Sequence, residues 1–349
     1  MYSPKYAISN KILRNIGVIE AAREVIKNAP LLPYYEKQFR KDALVRQVHY
    51  GTHIEGNELN INQAEKVIDG LHVVARDRDI QEVLNYRKVM EQIDKFTVQS
   101  SSFIVDEKMI KHMHELTVAK LLDEGKIGKY RETQVVVKNS RTGEVSFTPP
   151  PASEIRFAMQ ELEDFINSQA DIHAVLKSGV FHYEFVRIHP FVDGNGRVAR
   201  ALSTFILYKE GYDIRKFFSL EEYFDNEASR YYDALKSVGK NDGDLTHWLE
   251  YFTEGLAIEL SKIKDKVEKI SIDGKLREKL GGKPLLLSDR QLKIIEFIQQ
   301  VGFLQNQAFA TLFPMISEDT ILNELKGLLS AGIIKKQGKT KGAKYIMAS

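Results

Sequence analysis

Ile188-His189-Pro190-Phe191-Val192-Asp193-Gly194-Asn195-Gly196-Arg197-Val198-Ala199-Arg200, followed by Ala201, Leu202, Phe205 and Ile206, is the stretch on which the reading of this 349-residue chain turns. Pro190 and the Gly194-Asn195-Gly196 turn put His189 in a loop. The apolar spacing of Val198, Ala201, Leu202 and Phe205 then starts a helix. Backbone N–H groups of the glycine turn are thus expected to face outward at a helix N-terminus. Such a start attracts anions, because unsatisfied N–H donors and the positive end of the helix dipole converge there while glycine permits close approach. Phosphate is the natural ligand.

Arg197 and Arg200 are three apart, share a helix face and can each clamp phosphate oxygens. A carboxylate beside those phosphates, Asp193, would be repelled unless a divalent cation bridged them, which points to Mg²⁺. His189, with an unperturbed pKa near 6.5, is the candidate general base. The plainer alternative is that the proline and the turn merely separate two helices, with His189 hydrogen-bonded and the arginines solvated.

Together these residues resemble the Fic family signature HxFx[DE]GNGRxxR, whose eight specified positions all match. The resemblance implies protein adenylylation, in which a Ser, Thr or Tyr hydroxyl of a target protein attacks the α-phosphate of ATP and takes up AMP. Carried over, His189 is the base and Asp193 holds Mg²⁺. Gly194, Asn195 and Gly196 cradle phosphates, and Arg197 and Arg200 hold the β/γ end. Val135, Val136, Val137 and Lys138, after Gly128-Lys129-Tyr130-Arg131, resemble one strand of the family's flap, which lines up a target segment by strand addition. Arg230-Tyr231-Tyr232 and Asn241-Asp242-Gly243-Asp244, then Trp248, resemble the part that closes on adenine, with Tyr231 and Asn241 as contacts; core tyrosines and a plain turn are the alternative.

Upstream, Gly51-Thr52-His53-Ile54-Glu55-Gly56-Asn57 resembles the family's inhibitory helix, [ST]xxxE[GN]. The resemblance implies that Glu55 pairs with Arg200 and competes with the γ-phosphate, with no separate antitoxin. The sequence departs from the pattern at Gly51, which stands in the Ser/Thr slot, and the hydroxyl moves to Thr52.

Around this centre the chain reads as mainly α: a Fic-type helical bundle interrupted by a β-hairpin flap. Apolar residues return every three or four positions from Asn10 to about Lys120, as in Ala64, Val67, Ile68 and Leu71. The valine run and Val145 and Phe147 flank a polar turn, Asn139-Ser140-Arg141-Thr142-Gly143, which predicts the hairpin. Helical spacing resumes at Ser153. Leu256, Leu260, Ile263, Val267 and Ile270 have heptad spacing over about two heptads, which fits packing within the chain or a homodimer seam. The expected division is an N-terminal helical region with the inhibitory helix (1–110), the catalytic domain (111–270), a linker (271–284) and a C-terminal domain (285–349).

In that last domain, Ser288-Asp289-Arg290-Gln291 and Ser317-Glu318-Asp319-Thr320 cap helices, with a further helix over Gln305 to Phe313. Ile333-Ile334 and Tyr345-Ile346-Met347 flank a lysine-rich turn. Three helices and a basic wing resemble a winged helix. The third helix carries Glu318, Asp319 and Glu324 against Lys326, so attraction to DNA is confined to the wing; a protein-interaction or regulatory role is the alternative.

Composition sets the outer bounds. The 50 basic and 48 acidic residues argue against whole-molecule attraction to nucleic acid or membrane. Without cysteine there is no thiolate nucleophile, disulfide or Cys-ligated metal. No segment has the apolar length of a membrane span and the N-terminus has no signal-peptide core, so a cytoplasmic enzyme is expected. Two other readings compete: a DNA-binding regulator with the Fic domain as nucleotide sensor, and a transferase that moves other phosphate groups or removes AMP.

Overall fold

The computed structural model describes residues 2–29, 31, 33–99, 104–138, 145–168, 171–270, 287–314, 316–338 and 343–348. The expected linker 271–284, the hairpin turn 139–144 and the wing tip 339–342 lie outside the described residues. Contacts divide the chain into two units, Met1–Asn28 with Phe39–Lys266, and Ala29–Gln38 with Val267–Ser349. The boundary expected at residue 110 is not a division of this kind, because helices on both sides of it pack on one central helix.

The first unit contains α1 (Asn10–Asn28), most of α2 (Pro33–His53), α3 (Ile61–Ile68), α4 (Asp77–Gln99) and α5 (Glu107–Val118). The hairpin β1 (Val137–Lys138) and β2 (Val145–Phe147) follows, then α6 (Ile155–Asn167), α7 (Ala174–Ile188), α8 (Asn195–Leu207), α9 (Leu220–Asn226), α10 (Ala228–Lys240) and most of α11 (Thr246–Ile270). Local chemistry starts several of these where the sequence dictates. Asn60 and Gln63 form a capping box on α3, and the Asp106 side chain accepts from Met109 N–H at the start of α5.

Helix α7 is buried on nearly every side, as a helix with apolar residues all round must be. It packs most extensively on α8, and Ser178 Oγ donates to Ser203 O at 2.8 Å while His182 faces Ser203 Oγ at 3.2 Å. The loop 189–194 therefore joins two antiparallel helices. Helices α4 and α5 cover α8, and α6 covers α7. Trp248, Phe252, Phe224 and Tyr231 pack around His182, and Trp248 Nε1 donates to Gly179 O at 2.7 Å. Each such apolar side chain contributes roughly 1.5–3 kcal/mol by leaving water.

The hairpin is shorter than expected. Val137 pairs with Phe147 and Lys138 with Val145, with a register irregularity between them, while Val135 and Val136 precede the ladder. Leu256, Leu260, Ile263 and Val267 are all buried within the chain, so this heptad-spaced face is not left free for a homodimer seam. No described helix is long and apolar enough to cross a membrane.

In the second unit, helices Asp289–Val301, Phe309–Leu312 and Glu318–Ser330 precede an antiparallel ribbon of β3 (Ile334–Gln337) and β4 (Lys344–Met347). Ser288 makes a capping box with Gln291, and Ser317 caps the third helix. Ile294, Ile298, Leu304, Phe309, Leu325 and Tyr345 belong to its core. Tyr35, from the segment Ala29–Gln38, is 4% exposed and its hydroxyl donates to Gln299 Oε1 at 3.3 Å.

Candidate active site

The site grows from the C-terminus of α7. His189 takes a left-handed conformation (φ 51°), which ends the helix while its N–H still donates to Phe185 O at 3.0 Å. Its Nδ1 lies 3.3 Å from Val186 O. A carbonyl can only accept, so this contact assigns the proton to Nδ1 and leaves Nε2 as the acceptor, the tautomer a general base requires. Burial lowers the His189 pKa below its ordinary 6.5, so the imidazole is neutral at pH 7.

The turn after it is held from several sides. Gly194 has φ 82°, and a Cβ there would come within 2.8 Å of Val118 Cγ1, so both the backbone and the space require glycine. The Asn195 side chain accepts from Phe191 N–H and donates to Phe191 O, both at 2.9 Å. Its amide therefore shapes the loop instead of pointing at a ligand. His114, which the sequence reading missed, stacks on Phe191 with ring centroids 3.8 Å apart. It accepts from Gly128 N–H through Nδ1 at 3.0 Å, and its Nε2, 3.1 Å from Asp193 O, is thereby the donor. Burial pushes the His114 pKa down to about 4.

Asp193 Oδ1 accepts from Gly194 N–H at 2.6 Å and from Arg197 Nη2 at 3.3 Å; Oδ2 lies 3.6 Å from Arg78 Nη2. Arg197 and Arg200 are 3% and 2% exposed. Arg197 Nε and Nη1 and Arg200 Nε are buried with no hydrogen-bond partner among the described residues. Unspent guanidinium donors at a helix start suit an anion with several oxygens.

A carboxylate already lies there. Glu55 Oε1 accepts from Arg200 Nη2 at 2.6 Å, as the resemblance implied. A Cβ at Gly196 would overlap that same oxygen, so the absence of a side chain at 196 is what lets an anion reach the first turn of α8. Burial works against the Arg200 charge, but Glu55 beside it raises the guanidinium pKa overall. Arg200 Nη2 also donates to Gly51 O at 2.9 Å.

Gly51 now has a reason. A Cβ at this position would come within 2.5 Å of the Tyr86 ring, which is fully buried and donates to Glu221 Oε1 at 3.3 Å. The hydroxyl displaced to Thr52 donates back to Val48 O and His49 O within its own helix. Asn57 instead anchors the segment, its Nδ2 donating to Asp79 O and Glu82 Oε2, both at 3.0 Å, and Glu82 Oε1 stands 3.5 Å from Arg197 Nη1.

The expected adenine contacts do not come together. Tyr231 is 2% exposed and shares a 2.8 Å hydrogen bond with His182 Nε2, which makes it a core residue; Tyr232 next to it is 42% exposed. Asn241 is exposed at the far end of α10, roughly 15 Å along the helix axis from Tyr231 at 1.5 Å per residue. Its backbone closes the turn, accepting from Asp244 N–H at 2.9 Å.

Residues 104–207 match the Fic/DOC family model. The chain carries a Fic domain. It holds His189 through Arg200, while Glu55, Tyr231 and Asn241 lie outside the matched range. Over 248 residues the chain is 28% identical to "Protein adenylyltransferase Fic" of Drosophila willistoni, covering 69% of this chain and 46% of that protein. The namesake from Culex quinquefasciatus is 25% identical over 243 residues, 68% of this chain and 45% of that one. The chain spans less than half the length of these curated relatives. Among solved structures, a Fic family protein from Desulfovibrio desulfuricans G20 superimposes with a TM-score of 0.69 at 24% identity, over 99% of this chain and 98% of that one. Fic-1 from C. elegans gives 0.60 at 20% identity, covering 73% of each. These likenesses establish a mainly helical Fic fold.

Proposed function

We propose that the chain is a protein adenylyltransferase restrained by its own Glu55. The observation that carries this reading is the Glu55 carboxylate seated on Arg200 and over Gly196, beside His189. An anion is accommodated where a polyphosphate would be held, and the base stands at the same loop. The donor set fits ATP: buried guanidinium nitrogens that make no hydrogen bond among the described residues, a side-chain-free approach at Gly196, and a partly exposed carboxylate, Asp193. Mg²⁺ suits such a place, because it is commonly held by one or two carboxylates plus phosphates, and it would neutralise charge on the phosphates.

In the transfer, the target hydroxyl oxygen bonds to the α-phosphorus, the bond to the β-phosphate oxygen breaks and pyrophosphate leaves. His189 Nε2 takes up the hydroxyl proton. Arg197 and Arg200 hold the departing phosphates and the exposed hairpin edge aligns the target. While Glu55 occupies Arg200, the terminal phosphate lacks one of its clamps and ATP lies unproductively. The test is incubation with Mg²⁺ and ATP labelled at the α-phosphate, with and without a cell lysate. Glu55→Gly should label itself or a lysate protein well above wild type, and His189→Ala should label nothing. A Glu55→Gly chain that labels neither sinks the proposal.

For the second unit we propose a winged-helix module acting in regulation or protein contact. Supporting this over DNA contact, Glu324 of the third helix accepts from Ser288 Oγ at 2.9 Å and Arg290 Nε at 2.8 Å, so that helix brings acidic, internally paired side chains. Salt-dependent binding of the full chain to duplex DNA would reverse this preference.

A further inference from the structure

Arg131 is 3% exposed and has no part in the reaction as described above. Its backbone N–H donates to Pro190 O at 2.8 Å and its Nε to His189 O at 2.9 Å. Nη2 reaches Pro150 O at 2.6 Å and, more weakly, Ile188 O at 3.5 Å, while Nη1 donates to Thr133 O at 3.0 Å. Thr133 and Pro150 are the two feet of the β1–β2 hairpin. Ile188 and His189 are the last carbonyls of α7, orphaned by the helix end and left unpaired by Pro190, which has no N–H of its own to give. A planar guanidinium with five donors in fixed directions can serve both sets at once, and a lysine ammonium on the same stem cannot.

We propose that Arg131 is a positioning residue that makes the target-docking hairpin and the loop carrying His189 one mechanical unit, so that target alignment and base alignment are set together. This rests on the adenylyl-transfer reading of the site. Moving the hairpin drags the left-handed turn at His189 through one buried side chain, backed by the Arg131 N–H on Pro190 O, and the distance from base to docked hydroxyl follows.

The test uses the full chain carrying Glu55→Gly, with Arg131 intact or replaced as Arg131→Lys or Arg131→Met. Self-labelling by α-phosphate-labelled ATP should fall about 100-fold in kcat in both variants, the cost of a displacement near 1 Å, while KM for ATP stays within about twofold because Arg197 and Arg200 are untouched. Amide exchange should quicken about tenfold in both 129–138 and 186–191 and stay unchanged in 51–60, which a general loosening of the fold would also have quickened. Arg131→Lys, which keeps the charge, carries the test should Arg131→Met fail to fold. A folded Arg131→Lys with kcat within about threefold of its parent overturns the proposal, as does exchange that quickens in one of the two segments alone. If the parent labels neither itself nor a lysate protein, the adenylyl-transfer reading fails, and the exchange comparison still decides whether Arg131 couples the two segments; if it labels only a lysate protein, kcat is read on that protein instead.

Discussion

A serine at position 51 would press its Cβ into the Tyr86 ring, whose hydroxyl is engaged by the buried Glu221. Overpacking of this kind costs about 1–3 kcal/mol. Gly51→Ser should therefore lower the urea midpoint, and adding Tyr86→Leu should recover part of the loss; equal stability of Gly51→Ser and wild type would show that the ring moves freely. On the adenylyl-transfer reading proposed above, the pH dependence of transfer is set by His189. Burial depresses its pKa, so the neutral base survives below pH 6.5 and the acid limb of kcat/KM has its midpoint there; the Glu55 charge raises this pKa, and Glu55→Gly should move the limb further down. A midpoint above 6.5 in Glu55→Gly contradicts the assignment. That His189, Asp193, Arg197 and Arg200 gather on one loop and helix start was legible, because the proline, the Gly-Asn-Gly turn and the apolar spacing after it mark a helix end and a helix start. Tyr231 and Tyr232 were not distinguishable in this way, since which of two adjacent tyrosines faces the core depends on helix phase.

At the scale of elements, α7, the loop and α8 behave as one piece, held by His114 outside and His182 inside. Both imidazoles are kept neutral by burial, with pKa values pushed down to about 4 and about 3. Depressed values mean that their contribution is fully present above the unfolded pKa of 6.5 and is lost as pH falls toward the folded values, roughly 3 kcal/mol for His114 by the end of that window. Chemical denaturation at pH 7, 5.5 and 4.5 should show this slope, and His114→Gln should flatten it. An unchanged slope would remove His114 from the account. Helix periodicity was readable over most of this unit because buried faces repeat every three to four residues. The flap was read too long: the valine run favours strand everywhere, but pairing starts at Val137, after Gln134 Nε2 has tied the approaching chain to Pro149 O at 2.9 Å.

For the whole molecule, the grouping of Ala29–Gln38 with the C-terminal residues was invisible in sequence, because it joins segments more than 200 residues apart and no local pattern encodes such a partner. Tyr35 makes the consequence testable. A chain ending at residue 266 should expose this tyrosine, so that protease cleavage within 29–38 accelerates while 39–266 stays resistant. Undiminished protection of 29–38 would refute the grouping. The near-neutral total of 50 basic against 48 acidic residues likewise concealed an uneven interior, where two buried arginines at one helix start draw in three carboxylates, Glu55 on Arg200 and Asp193 and Glu82 on Arg197.

Asn195-Gly196 is the one Asn-Gly pair in the sequence, and such pairs are where proteins usually age, the glycine nitrogen attacking the neighbouring side-chain amide and releasing ammonia. Here that amide is buried, spent on both backbone groups of Phe191, and carried on the first residue of α8. The clasp that shapes the loop after His189 thus also withholds Asn195 from deamidation. Prolonged incubation followed by peptide mapping should find Asn195 unconverted in the folded chain and among the first asparagines to convert in urea.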